Sequence, residues 1–448
     1  MEFLKGAKKY TIGRRDSINK ITILGAGISG ISAAYHLKQL GIDSIVFEKN
    51  HTYGGLCDNF EIDGFTFDKF IHLSFSDSDY VKTLFNDSSD FFIHYPKPMC
   101  YYKGYWLKHP AQNNLYPLEV KEKVTIIKDF IERKDINIEN IHNYEEWLKV
   151  QYGNYFAENF PMVYTEKYWT IPAKKLETKW VGSRMYIPKI EEVLEGAMTK
   201  ETPNTYYAKE MKYPVRGGYK SFLKKMAENI EIYYNKEVVK IDTESKCIFF
   251  KDGEKTKYEK LILSLPLPEI CKIIDNVPEK VFEAAKKLKW TSGLLISLGF
   301  NKPDISNYLW FYIYDKEILS SRVYSPSLKS PNNCPVGCSS LQAEIYFSKF
   351  KPLKKPINEV MNQEIEKFAK IGLFKEEEIL IKDARIENYA NIIFDHETYK
   401  NRDIIHDYLD SLNIYYVGRF GEWKYFWSDQ ALLSGKHVAE KISKEVKF

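Results

Sequence analysis

Cysteine is scarce in this chain, charge of one sign is not in excess, and no long apolar run is present. Six cysteines are spread over 448 residues with no C-x-x-C pair, which excludes a disulfide framework and a thiolate zinc site. Cys334 and Cys338 flank Pro335 and Gly337 and read as a turn carrying incidental thiols. Lys+Arg total 65 and Asp+Glu 61, a net charge of +4, so composition favours neither charge-driven disorder nor a nucleic-acid partner. No stretch reaches about 18 consecutive apolar residues, so no membrane-spanning helix is expected. Residues 1–19 are basic without the apolar core of a secretory signal, and they read as a flexible arm. These absences point to a globular, enzymatic chain of a reducing compartment, expected in the cytoplasm. Length suggests two to three domains, and an apolar share of 44% can fill them. Aromatic residues are plentiful at 15%, with 33 Tyr, and provide material for stacking a ring-shaped ligand.

Lys20 to Lys49 is the most informative stretch. Ile21–Leu24 is a short apolar run, followed at once by Gly25-Ala26-Gly27-Ile28-Ser29-Gly30. A helical apolar pattern ends at Gly41, and Ser44–Phe47 reads as a second buried strand ending in Glu48. Strand, G-x-G-x-x-G, helix, strand and acid form a dinucleotide-binding unit. Gly25 permits the tight turn, Gly27 admits a pyrophosphate to the backbone, and Gly30 lets helix and strand pack. The helix N-terminus then faces the phosphates, and Glu48 can accept from a ribose diol.

The next residues distinguish the dinucleotides. After Lys49, Gly54-Gly55-Leu56 places a second glycine pair just beyond the ribose acid. This resembles flavoproteins of the amine-oxidase and glutathione-reductase type, in which the chain passes the FAD pyrophosphate there. Gly64-Phe65-Thr66-Phe67-Asp68 followed by His72 resembles the G-x-x-F-D…H stretch of the same superfamily. FAD is therefore expected rather than NAD. The resemblance also implies that Val238 meets the adenine and that Gly418 and Arg419 lie beside the flavin. It further implies that Asp429, Gln430 and Ala431 open a helix aimed at the cofactor, with Ser428 or Asp429 as its N-cap.

The expected fold is α/β, with a discontinuous Rossmann-like FAD-binding domain in three parts (1–104, 206–289 and 386–448). A helical substrate domain at 105–205 and an antiparallel sheet domain at 290–385 interrupt it. This layout is similar to that of UDP-galactopyranose mutases and their amine-oxidase-like relatives. Tyr164-Thr165-Glu166-Lys167-Tyr168-Trp169 resembles that family's Y-T-x-K-x-W segment, and Gly418–Tyr425 resembles its G-R-L-x-x-Y-[RK]-Y segment. The resemblance implies that Tyr164 stacks on a uracil, with Trp169 in the same pocket. Arg184 and Arg322 would clamp a diphosphate, and Tyr206, Trp423 and Tyr425 would contact the substrate. His72, Arg322 and Tyr425 would be the catalytic group, and no metal is implied.

Phe67–Phe75 departs from the mutase pattern: one histidine is missing, and Phe70 replaces a glycine. Its F-D start is closer to protoporphyrinogen oxidases and phytoene desaturases. Two functions are therefore expected from the resemblance. The first is pyranose/furanose isomerisation of a nucleoside-diphosphate sugar, expected to be UDP-linked, for polysaccharide biosynthesis, through attack of the reduced flavin N5 on the anomeric carbon. The alternative is an FAD-dependent oxidoreductase acting on an amine, porphyrinogen or other hydrophobic substrate. A homodimer and an external reductant are possible partners.

Overall fold

A computed structural model describes residues 20–133, 136–206 and 208–446; the expected amino-terminal arm lies outside the described residues. Ile21–Leu24 forms the centre of a five-stranded parallel sheet. Ser44–Phe47 and then Ile232–Tyr233 lie on one side, with Leu261–Leu263 and then Ile414–Tyr416 on the other. The central strand is apolar throughout and buried at every residue, as expected for a parallel strand covered on both faces. Helix Ile28–Gln39 packs closely against the carboxy-terminal helix Ser428–Val446. A Cβ on Gly435 would lie 2.3 Å from the Ser29 carbonyl oxygen, so this approach requires glycine.

A second sheet has seven strands, in the order Ile379–Ile392, Trp290–Phe300, Ser339–Phe347, Arg322–Tyr324, Trp310–Ile313, Met99–Tyr102 and Tyr105–Lys108. Its pairings are antiparallel except between Trp310–Ile313 and Met99–Tyr102, which run parallel. Residues 99–108 thus form a hairpin of this sheet, and the expected boundary at 104/105 falls within it. The boundary at 385/386 falls within the strand Ile379–Ile392. Both differences have one cause: a strand's partners lie far away in sequence, and local pattern does not reveal them.

Period-2 alternation sorts the sheet's two faces. Leu294, Ile296, Phe311, Leu341, Ala343 and Ile345 form one core with Val360, Ile365 and Phe368 of the covering helix Ile357–Lys370. Leu295 and Tyr346 cluster separately with Phe70 and Ala390. Tyr312, Arg322 and Tyr346 line a cavity on that second side. The helical insert comprises Val120–Ile131, Tyr144–Tyr152, Asn154–Asn159, Pro161–Tyr168 and Ile190–Met198. In Pro161–Tyr168 the proline occupies the first turn, where its missing N–H costs nothing. Among the described residues, no helix is long and apolar enough to cross a membrane. No group of three or more His, Cys, Asp or Glu among them could hold a metal ion.

Candidate active site

The dinucleotide crevice is built from glycines with different duties. Gly25 has φ +99°, and a Cβ there would lie 2.7 Å from the Ser264 carbonyl oxygen. A Cβ on Gly30 would sit 2.0 Å from the Gly25 carbonyl oxygen, so helix and turn touch at this position. A Cβ on Gly27 would meet nothing within 4 Å: that space is left open by the protein. Gly54 and Gly55 (φ +118° and +60°) lie directly against this turn, with the Gly54 N–H donating to the Ala26 carbonyl oxygen at 2.8 Å. Gly27 is the N-cap of Ile28–Gln39 and offers no side-chain cap, so Ile28 and Ser29 begin a helix whose first N–H groups are available to an anion.

Glu48 is 6% exposed and firmly oriented. Its Oε2 accepts from the Ala26 N–H at 2.7 Å, and Oε1 accepts from the Asn50 N–H at 2.9 Å and side-chain amide at 2.7 Å. Oε2, with a single donor, retains acceptor capacity for a ribose hydroxyl. Lys49 is exposed. Val238 is half-buried at the start of a strand whose approach is tied to Glu48: the Lys236 N–H donates to the Glu48 carbonyl oxygen at 2.8 Å. An open cradle at Gly27, a capless helix and an oriented acid fit the adenosine diphosphate part of FAD.

A cavity of about 940 Å³ lies between the helical insert and the seven-stranded sheet, bounded also by Leu56, His72 and Ser428. Among the described residues no aspartate or glutamate lines it, whereas Arg184, Arg322 and Arg419 all do. Arg322 is held by fully buried Glu344, its cross-strand partner, at 2.6 Å. The same carboxylate accepts from the Tyr346 hydroxyl at 2.7 Å and the Ile71 N–H at 2.8 Å. Among the described residues, neither Arg184 nor Arg419 forms a salt bridge with a carboxylate. Their guanidinium carbons stand 4.7 and 5.0 Å from the Tyr425 ring centroid. Arg184 donates to the Trp180 and Tyr425 carbonyl oxygens at 3.0 and 2.8 Å, and Arg419 to Asn391 Oδ1 at 2.7 Å. Burial, and after it the nearby Arg419 charge, pulls the Arg184 pKa below the usual guanidinium value.

Several donors around Tyr425 have no acceptor among the described residues: Nε of Arg184 and Arg419, and Nε1 of Trp169 and Trp180. Trp169 and Trp180 pack with centroids 4.4 Å apart, and Trp180 meets Tyr425 edge-on at 5.8 Å. Buried donors without acceptors cost free energy, and this group favours an acceptor-rich, negatively charged ligand with modest side-chain adjustment. Farther along the wall, Tyr164 meets Tyr312 edge-on at 5.5 Å, and Tyr312 adjoins His109, which adjoins Tyr206. His72 lines the cavity with its ring 5.0 Å from Tyr219. Burial lowers the pKa of His72 and of His109 to about 4, so both are neutral at pH 7.

Tyr164, Trp169, Arg184, Tyr206, Arg322 and Tyr425 all line the cavity, from three separate regions of the chain. Trp423 does not. It is 0% exposed and packs edge-on against Trp290 and Phe420, with φ +50°. The expectation of a substrate contact at Trp423 is corrected: the turn after Gly418–Gly421 directs this ring into the core and the next aromatic, Tyr425, into the cavity. The carboxy-terminal helix begins at Ser428, so neither Ser428 nor Asp429 is its N-cap. Gln430 Oε1 instead accepts from the Trp427 N–H at 3.0 Å, Asp429 accepts from the Ser76 hydroxyl at 2.8 Å, and Ala431 is buried. Phe70 has φ +65° and is stacked on Tyr346. The sequence reading missed His109, Trp180, Tyr312 and Tyr346 as cavity residues. Sheet alternation would have flagged Tyr312 and Tyr346, but only once the buried faces were known.

The model for flavin containing amine oxidoreductases matches residues 28–443. Two curated relatives match short stretches. A lysine-specific histone demethylase 1B homolog of Caenorhabditis elegans is 51% identical over 63 residues, 12% of this chain and 8% of that protein. A zeta-carotene-forming phytoene desaturase of Myxococcus xanthus is 45% identical over 58 residues, 13% of this chain and 10% of that protein. The matches thus span only about a tenth of those relatives' length. Among solved structures, a reduced UDP-galactopyranose mutase superposes with a TM-score of 0.89 at 24% identity, covering 95% of each chain. Putrescine oxidase with bound putrescine superposes with a TM-score of 0.63 at 14% identity, covering 95% of this chain and 98% of that one. At these identities both show shared architecture alone. The family match runs through both sheets and the helical insert, so this chain belongs to the flavin containing amine oxidoreductase family, with FAD as its cofactor.

Proposed function

We propose that this chain is an FAD-dependent enzyme of a nucleoside-diphosphate sugar, uridine-linked, that interconverts the sugar's pyranose and furanose rings. One observation carries the reading: three arginines and no carboxylate line the cavity. A cationic amine would meet no counter-ion there, and an apolar polyene would leave the charges of Arg184 and Arg419 buried without use. A diphosphate matches them, because each guanidinium presents a planar fork of donors.

Tyr164, beside Tyr312, offers its ring to the base. Arg184, Arg419 and Tyr425 hold the phosphates. Arg322, with Nε and Nη2 engaged by Glu344, contributes orientation more than net charge. Held this way, the sugar would extend toward Leu56 and His72, the cavity residues that would lie beside a bound flavin. Reduced FAD supplies the nucleophile toward the anomeric carbon. The chain's part is positioning, charge stabilisation and exclusion of water by its aromatic walls. His72, neutral at pH 7, acts as a hydrogen-bonding wall and not as an acid. The mutase architecture supports this reading. The three-part FAD-binding domain with two inserts remains our proposed division, with the hairpin at 99–108 and the whole strand Ile379–Ile392 assigned to the sheet insert, and the role of Val238 at the adenine remains a proposal.

A second reading, oxidation of a hydrophobic substrate, draws support from the dense aromatic lining and the desaturase similarity. Calorimetric titration of the dithionite-reduced protein with UDP separates the two. UDP is expected to bind in the micromolar range, with Arg184→Ala and Arg419→Ala each weakening it by about 1.5–3 kcal/mol, roughly ten- to a hundredfold. Tyr164→Ala should weaken UDP but leave inorganic pyrophosphate almost unchanged. Absence of binding by any nucleoside diphosphate at millimolar concentration ends the proposal. Oxygen consumption with an apolar substrate would then favour the second reading.

A further inference from the structure

Lys167 belongs to the Tyr164–Trp169 segment, yet it does not line the cavity. It is 4% exposed, and its ammonium donates to three backbone carbonyl oxygens: Ile313 at 2.9 Å, Asp315 at 2.6 Å and Ser320 at 3.2 Å. Those carbonyls belong to the connection between the strand carrying Tyr312 and the strand carrying Arg322. Three hydrogens thus meet three acceptors, and no carboxylate forms a salt bridge with Lys167 among the described residues. The connection is gripped from the other side by buried Glu364, which accepts from the Leu319 and Ser320 N–H groups at 3.0 and 2.9 Å and from the Ser320 hydroxyl at 2.7 Å. Lys167 therefore joins the helix bearing Tyr164 and Tyr168 to the hairpin bearing Tyr312 and Arg322.

We propose that Lys167 is a positioning residue whose side-chain amino group fixes the base-facing tyrosines against the Tyr312–Arg322 hairpin. The inference rests on the cavity being the ligand site, as proposed above, but not on the identity of the sugar. A neutral amine has only two hydrogens for the three carbonyls, and its lone pair faces an acceptor. Burial lowers the Lys167 pKa to about 7; Glu364 and Asp315 oppose this, while Lys351 and Lys367 add to it. Lys351 stands on the Glu166 carbonyl oxygen at 3.0 Å and Lys367 on Glu364 at 3.0 Å, so these four are the charged groups facing Lys167. Above pH 7 the folded chain loses a proton that the unfolded chain retains to about 10.5. Global stability therefore rises with pH across that window. The same linkage governs any local opening that releases Lys167 to solvent, so such opening becomes rarer as pH rises across that window.

Two measurements on the FAD-loaded protein test this. Amide hydrogen exchange of residues 314–321, expressed as protection factors to remove intrinsic pH dependence, is compared at pH 6 and pH 9 in wild type, Lys167→Met and Lys167→Arg. Protection is expected to rise from pH 6 to pH 9 in wild type, and to be independent of pH and below the wild-type pH 9 value in both variants, since Met donates no hydrogen bond and Arg cannot shed its proton. UDP affinity at pH 9 should be about tenfold weaker in Lys167→Met than in wild type. Protection in Lys167→Met equal to wild type at pH 9, or unchanged by pH in wild type, overturns the tether. If UDP binds at neither pH, the nucleotide reading fails while the exchange measurement still decides the role of Lys167. If exchange behaves as expected but affinity is the same in Lys167→Met and wild type, the link from tether to ligand is overturned.

Discussion

At the residue scale, glycines with identical side chains carry different loads in the same turn. Gly30 is required by the protein, since a Cβ would collide with the Gly25 carbonyl oxygen at 2.0 Å. Gly27 is not required by the protein, since a Cβ there meets no protein atom within 4 Å, and we propose that the cofactor requires it instead. Gly27→Val should therefore give a folded protein, with thermal stability near that of wild-type apoprotein, that takes up no FAD. Gly30→Ala should lower the stability of the apoprotein itself by about 1–3 kcal/mol. Chemical denaturation of flavin-free protein, alongside absorbance after reconstitution, checks both. FAD retention by Gly27→Val at wild-type stoichiometry would show that the pyrophosphate does not pass over this turn. The G-x-G-x-x-G spacing made these glycines legible in the sequence, because the motif is local. It could not separate their loads, which depend on what surrounds each Cα.

At the element scale, Phe70 is tolerated because a strand far along the chain makes room for it. A Cβ on Gly293, in Trp290–Phe300, would lie 2.4 Å from the Phe70 ring, so the ring occupies the space above that glycine. Phe70 also has positive φ, an uncommon conformation for an aromatic residue. Gly293→Ala should cost about 1–3 kcal/mol by overpacking, and Phe70→Leu in that background should recover part of it. A double-mutant cycle by urea unfolding measures the coupling, and strict additivity would mean that the two positions do not share this space. In the sequence, Phe70 reads only as a bulky substitution in a glycine-containing segment. The apolar run around Gly293 shows neither which face it presents nor what packs there. Likewise, the paired strands Ile21–Leu24 and Ser44–Phe47 were readable from one short segment, whereas the hairpin at 99–108 could be assigned only by its pairing with Trp310–Ile313.

At the scale of the whole molecule, one buried ion pair joins three separated parts of the chain. Asp68 and Lys329 are both fully buried and salt-bridged. Asp68 also accepts from the Tyr213 hydroxyl at 2.8 Å and the Tyr219 N–H at 2.9 Å, while the Lys329 ammonium stands over the rings of Tyr213 and Tyr324 at 4.4 and 4.7 Å. Removing one charge leaves the other buried, so Asp68→Asn should destabilise the protein by about 3–5 kcal/mol. Adding Lys329→Met should recover much of that loss. Denaturant midpoints of the single and double variants decide it; a double variant no more stable than Asp68→Asn would show that the pair's worth lies in the tyrosine contacts.

The sequence by itself determined the dinucleotide turn, the acid that follows it and the flavin-like second glycine pair, because these depend on neighbours within about thirty residues. It also named the three arginines and several aromatic residues of the cavity, through motifs that keep their chemistry wherever the chain places them. Only the tertiary structure decided the sign and use of the charges. Arg184 and Arg322 read in sequence as equivalent diphosphate arginines, yet Glu344 occupies Arg322 from the adjacent strand. Arg184 and Arg419, 235 positions apart in the chain, meet around one tyrosine ring without a carboxylate. Trp423 and Tyr425 lie two residues apart and look equivalent in sequence, but a turn sends one into the core and the other into the cavity. Charge compensation and side-chain direction depend on distance in space, and chain position does not encode that distance until both sheets have closed on the helical insert.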